Sequence, residues 1–174
     1  DPNLEDLYLN FEHSLIQKVG VDVGGRIHTG RSRNDIYATI ARIAAREALF
    51  TFSEDLFELR EALLQLAGEH VDTVAPGYTH LQPAQPTTFG HYLVSVSLAL
   101  ERDGERLLEV YPRLNLCPLG ACAFAGTGFA IDRHMTARLL AFDGIVESTL
   151  DAVASRDYVS ELLAAIAVMG VTLS

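Results

Sequence analysis

Lysine occurs once in these 174 residues, at Lys18, and cysteine twice, at Cys117 and Cys122. Two cysteines five positions apart, with no matching Cys or His pair, give no zinc pattern and read as buried thiols. No apolar stretch reaches about 18 residues without a charge, which argues against a membrane-spanning helix. The N-terminus carries no basic-then-apolar leader, so the expected setting is a reducing cytoplasm. There is no initiator methionine, Met135 and Met169 being the only two, and the sequence reads as a piece of something longer. Basic residues are scarce as well: 13 Lys and Arg against 23 Asp and Glu leave a net charge of -10. That balance argues against nucleic acid or an anionic membrane as the main partner.

Proline is absent from Asn34 to Val71, and glycine from Asn34 until Gly68. In that stretch Ile36, Ile43, Phe50, Phe57 and Leu64 recur every seven residues, flanked by Leu49, Leu56 and Leu63, with Glu47, Glu54 and Glu61 on another face. This spacing predicts one long bundle helix of roughly 55 Å, longer than a domain of this size needs, so it should pack against other subunits. Leu4, Leu7, Tyr8, Phe11, Leu15 and Val19 predict an amphipathic helix ending near Gly20, and Gly20 with Gly24-Gly25 mark a loop. The three prolines and one glycine from Pro76 to Pro86 read as a loop. A helix follows from Thr87 or Thr88 to about Val110, with Thr87 as a plausible cap and Pro112 and Pro118 bracketing its end. Asp132 caps a short helix carrying Met135, Leu139 and Leu140, and another helix starts at Asp151. No strand pattern is visible. The expected fold is all-α, with residues 1–174 as a single helical domain, the N-terminal and central part of a longer chain.

Against the acidic background, Arg26, Arg31 and Arg33 cluster in Gly25-Arg26-Ile27-His28-Thr29-Gly30-Arg31-Ser32-Arg33-Asn34-Asp35. Ser32, Arg33 and Asn34 fall at the start of the long helix, where unpaired N–H groups and the helix dipole favour an anion. Arginine adds a planar fork that grips a carboxylate by two bonds. The plainer alternative is an N-capped helix with solvated arginines. In the proline-rich stretch, His80 follows Thr79, and an imidazole is suited to moving a proton at neutral pH. Gln82 adds a polar contact. Tyr78 fits a core position equally well. His28 and His91 read as structural or supporting groups, and Arg102, Asp103 and Arg106 as ion pairs along a helix.

His28-Thr29-Gly30-Arg31-Ser32-Arg33-Asn34-Asp35 and Gly77-Tyr78-Thr79-His80-Leu81-Gln82-Pro83-Ala84-Gln85-Pro86 resemble two signature segments of the argininosuccinate lyases, within the fumarase/aspartase superfamily. Pro118-Leu119-Gly120, Ala125-Gly126-Thr127, Ile131-Asp132-Arg133 and Leu150-Asp151-Ala152-Val153 with Arg156-Asp157 continue the likeness in the family's order. The resemblance implies a central helical domain of the superfamily's long-helix bundle type, and a homotetramer whose active sites are shared among three subunits. It implies elimination of fumarate from a succinyl substrate, a small dicarboxylate, with no cofactor and no metal. His80 and Thr79 take the catalytic positions, and Ser32, Arg33, Asn34, Arg31 and Gln82 the substrate-binding ones. The family's third signature, Gly-Ser-Ser-x-Met-Pro-x-Lys, supplies a serine base and a lysine, and no such run occurs here. These residues alone are therefore expected to be inactive.

Several positions depart from the pattern. Tyr8 stands where the family more often has histidine, Ile36 where glutamine is usual, Ala121-Cys122 for Ser-Gly, and Ser148-Thr149 for Asn-Ser. Those departures leave two alternatives beside argininosuccinate: a related carbon–nitrogen lyase acting on another N-substituted aspartate, and a non-catalytic structural relative of the lens-crystallin kind.

Overall fold

The computed structural model describes residues 6–174. Leu4, counted in the apolar stripe of the first helix, lies outside the described residues. The chain is mostly helical and divides into two compact units. The first comprises residues up to Ile43 together with Asn115–Ser155, and the second comprises Ala44–Leu114 with Arg156–Ser174.

Helix α1 spans Leu7–Val19 because Asp6 caps it, its carboxylate accepting the Leu9 N–H, and because Gly20 ends it at φ 83°. A single further turn, α2 (Val21–Gly24), stands where a loop was expected. Gly24 has to be glycine there, since a Cβ would lie 2.8 Å from the Ile16 Cα. The long helix α3 runs Arg33–Glu69, its first third in the first unit and the rest in the second. Its uninterrupted course follows from the lack of proline and interior glycine.

The proline-rich stretch is not a loop. It forms an antiparallel hairpin of β1 (Val74–Thr79) and β2 (Gln82–Thr88), with a register irregularity between Pro76 and Tyr78. A two-stranded ribbon leaves one side of each strand outside the ladder, so prolines without N–H groups are tolerated where a central strand would exclude them. Helix α4 follows as Phe89–Leu114 and passes through Pro112 instead of stopping before it. Two-residue strands β3 (Leu116–Cys117) and β4 (Gly144–Ile145) pair in parallel in the first unit. Asp132 caps α5 (Arg133–Leu139) as expected, accepting the Met135 N–H at 2.9 Å.

The helix expected from Asp151 onward is two helices, α6 (Thr149–Ala154) and α7 (Asp157–Thr172). Ser155 turns extended at ψ 141° and breaks the hydrogen-bond ladder there, although neither proline nor glycine marks the break.

The second unit's core gathers Leu49, Leu56, Leu100, Leu107, Val110, Leu114, Tyr158, Leu162, Ala165 and Met169 from α3, α4 and α7. Leu100, Leu107 and Leu114 are wholly buried, and full burial of such a side chain stabilises by roughly 1.5–3 kcal/mol. In the heptad pattern only the flanking leucines face this core: Phe50, Phe57 and Leu64 remain 51%, 45% and 47% exposed. The first unit's core is smaller, with Cys117, Ala137 and Phe142 in one cluster and Ala121, Val146 and Ala152 in another. Both cysteines are free and buried, as their sequence context implied, and burial pushes both thiols above the ordinary range. No helix among the described residues is long and apolar enough to cross a membrane.

Candidate functional site

In the first unit, a string of turns leads from α2 into α3, closed by Thr29 N–H to Arg26 C=O at 3.0 Å and Arg31 N–H to His28 C=O at 3.1 Å, with Gly30 at φ 66°. Ser32 then caps α3, its hydroxyl accepting the Asn34 N–H at 3.2 Å. Asp35 reaches back, one carboxylate oxygen accepting the Ser32 N–H at 2.9 Å. This is a capping box with Asp in the place of Glu or Gln.

The arrangement corrects one expectation. The N–H groups of Ser32 and Asn34, which the sequence reading left open for an anion, are engaged by the chain's own Asp35 and Ser32. What an incoming carboxylate can meet here is side chains. Arg33 is exposed and donates from Nη1 to Asp6 Oδ2 at 2.8 Å, and the Tyr37 hydroxyl donates to the same oxygen at 3.1 Å. The N–H of Leu9 and then the Arg33 guanidinium hold the Asp6 carboxyl below its usual range. Asn34 Nδ2 donates to the Ala123 carbonyl at 3.1 Å.

Arg31 is half-buried beside an apolar hollow of about 420 Å³ lined by residues such as Phe11, Ile27, Ile36 and Ile40. A second cleft, of about 320 Å³, is bounded by Tyr8, Leu9, Glu12, His28 and Arg33. On its wall the Tyr8 hydroxyl hydrogen-bonds His28 Nδ1 at 2.6 Å. Tyr8 is buried, which raises its phenol above the ordinary range. His28 is thereby tied to α1.

The second unit holds Thr79, His80 and Gln82. Thr79 and Gln82 are register partners closing the hairpin, and His80 and Leu81 form its two-residue tip. Both tip residues are left-handed, at φ 49° and 62°, as a type I′ connection requires. Thr79, His80 and Gln82 are all exposed, and so is Tyr78, which therefore is not core. Thr79 also lines a hollow of about 450 Å³ with Gly77, Gln85, His91 and Tyr92. His91 Nδ1 pairs with Thr87 Oγ1 at 2.9 Å, a contact inside the hairpin–helix junction. Arg106 meets Asp103 at 2.7 Å, the helix-face pairing expected for them.

The structure thus gathers the seven sequence-predicted residues into two groups: Arg31, Ser32, Arg33 and Asn34 in the first unit, and Thr79, His80 and Gln82 in the second. Sequence reasoning missed Asp35 and Asp6. The Ser-x-x-acid spacing of Ser32 and Asp35 is a signal that could have found the former. Among the described residues no three His, Cys, Asp or Glu side chains are grouped to hold a metal ion.

The described chain is thus mostly helical, with a 37-residue helix capped by Ser32 at its start and a hairpin carrying Thr79 and His80 after its end. The family pattern described as Lyase matches residues 4–174, and the chain belongs to that family. It is 49% identical over all 174 residues to the argininosuccinate lyase of Methanococcus aeolicus, covering 36% of that protein. Over 170 residues, 98% of this chain, it is 53% identical to the argininosuccinate lyase of Natronomonas pharaonis, covering 34% of it. The crystal structure of EDDS lyase in complex with formate superposes with a TM-score of 0.89 at 42% identity, over 95% of this chain and 33% of that one. An EDDS lyase variant with bound fumarate gives 0.86 at 43%, over 92% of this chain and 32% of that one. The chain therefore spans about a third of the length of the curated relatives it matches.

Proposed function

We propose that these residues are part of a longer carbon–nitrogen lyase that eliminates fumarate from argininosuccinate to give arginine. The observation that carries this reading is the Ser32-Arg33-Asn34 run at the start of α3, with the Arg33 side chain exposed, in a chain 49–53% identical to argininosuccinate lyases. The difficult step is abstraction of a weakly acidic proton next to a carboxylate, which places extra negative charge on that carboxylate. Donors fixed beforehand around it stabilise the transition state more than the ground state. Ser32, Arg33 and Asn34 serve as those donors, with Arg31 and Gln82 as further contacts. Thr79 and His80 act at the leaving nitrogen, His80 supplying or orienting the proton. The base is the serine of a loop that these 174 residues do not contain.

The same reading makes the working enzyme a homotetramer that assembles each site from several subunits. The exposed Phe50, Phe57 and Leu64 on α3 support an assembly surface. The two free buried thiols fit a reducing cytoplasm. Likeness to EDDS lyase, together with Tyr8 and Cys122 close to the Ser32–Asn34 segment, favours as second reading a related lyase acting on another N-substituted aspartate.

The test is fumarate release, followed by its ultraviolet absorbance, from argininosuccinate by the complete polypeptide. Rapid release supports the first reading. Release only from other N-substituted aspartates transfers the assignment to the second. The 174 residues expressed alone should release none, because they lack the serine loop; turnover at family rates by that piece would overturn the assignment of the base.

A further inference from the structure

We propose that Asp35 is a positioning residue for the substrate-binding amide of Asn34, an inference that rests on the reading of Ser32, Arg33 and Asn34 given above. Its side chain has no solvent exposure. One oxygen accepts the Ser32 N–H at 2.9 Å, and the other accepts two, from Gly120 at 3.0 Å and Cys122 at 2.8 Å. Three amide donors satisfy a carboxylate taken entirely out of water.

A capping box uses only one of those oxygens. The second reaches a loop 85 and 87 residues further along the chain. Gly120 and Cys122 both lie in the left-handed region, at φ 92° and 55°, and their N–H groups converge on Asp35. Convergent amides of this kind form an anion-binding concavity, and here the anion is the protein's own side chain. A cysteine at positive φ is strained, and strain persists only where the surroundings impose it. The Cys122 thiol adds a bond to the Gly30 carbonyl at 2.9 Å, tying the same loop to the turn that precedes Ser32.

With the loop pinned in this way, the Ala123 carbonyl sits where Asn34 Nδ2 donates to it at 3.1 Å. That bond fixes which end of the Asn34 amide is nitrogen and so where its oxygen and second N–H are offered to a ligand. Asp35 touches no ligand in this scheme. It sets the loop, the loop sets Asn34, and Asn34 meets the substrate carboxylate.

The experiment is a double-mutant cycle in the complete lyase polypeptide with Asp35→Asn, Asn34→Ala and the pair, reading kcat/KM for fumarate release beside melting temperature and subunit assembly. A misplacement near 1 Å costs about 100-fold, so each single variant should fall by about that factor. The double variant should be no worse than Asn34→Ala alone. A double variant lower by about 10⁴-fold would make the two losses independent and overturn the proposal. Full activity of Asp35→Asn, with Asn34→Ala impaired, also overturns it while leaving the site reading intact. Normal turnover of Asn34→Ala removes the site reading itself and this inference with it. Should Asp35→Asn fail to fold, amide exchange of the unaltered protein decides. The Ser32, Gly120 and Cys122 N–H groups should exchange slowly as one group and slow further together when fumarate binds; no response to fumarate overturns the positioning role.

Discussion

At the hairpin tip, two residues with side chains occupy backbone that glycine prefers. Leu81 is the clearer case: it sits at φ 62°, is 92% exposed and so gains nothing from burial. Left-handed backbone costs a non-glycine residue about 1–2 kcal/mol. Leu81→Gly should therefore raise the stability of the folded chain by up to about 1 kcal/mol, read as a higher melting temperature. A lower one would mean that the leucine makes a contact in the assembled enzyme. His80 shares the strain at φ 49° and carries the proposed proton-handling role. His80→Ala in the complete polypeptide should reduce turnover by roughly 100-fold or more without unfolding it, in line with loss of a general acid or base. Near-normal turnover in that variant would take His80 out of the mechanism.

Between residues and whole molecule, Asp6 does two tasks for the elements around it. It caps α1 through the Leu9 N–H, and it binds Arg33 and Tyr37 on the first turns of α3. Because these partners lower its pKa in the folded chain, the stability it contributes is present above the unfolded aspartate value. That contribution is lost as pH falls through the lower folded value. The melting temperature of the unaltered protein should exceed that of Asp6→Asn at neutral pH, and the gap should close below about pH 4. A gap independent of pH would assign the effect to shape and not to charge. The elements themselves were legible in the sequence to differing degrees. Helix α3 was plain because nothing between Asn34 and Gly68 interrupts it, and α5 because Asp132 announces its cap. The β1–β2 hairpin was not, since Pro76, Pro83 and Pro86 suppress every strand signal and the pairing depends on its own two-residue tip. The break at Ser155 was also hidden, because neither proline nor glycine marks it between Asp151 and Met169. In the site the ligand-type residues stood out as a pattern. Asp35 did not, because two of its three bonds reach residues 85 and 87 positions away.

For the molecule as a whole, α3 sorts its heptad positions by destination. Leu49 and Leu56 are 1% and 3% exposed and belong to the second unit's core, while Phe50 and Phe57, one position further on, stay about half outside it. Phe50 makes a ring contact with Tyr111 at 5.6 Å between centroids, yet about half of it still faces out. Exposed aromatic area repeated every seven residues along one helix suits a packed helix–helix seam, where each ring enters a hole on a partner. Replacing both rings by aspartate tests this directly in the complete polypeptide. If the stripe is an assembly surface, Phe50→Asp with Phe57→Asp should leave the helical content near normal, because Leu49, Leu56 and Leu100 still fill the core. On the proposed tetrameric reading, the particle size in sedimentation should fall from tetramer to smaller species, and fumarate release should be lost in step with it if each site draws on more than one subunit. A tetramer that survives both charges with full activity would show that the seam lies elsewhere on the chain. Subunits that separate yet keep turning over would leave the seam in place and remove the shared active site.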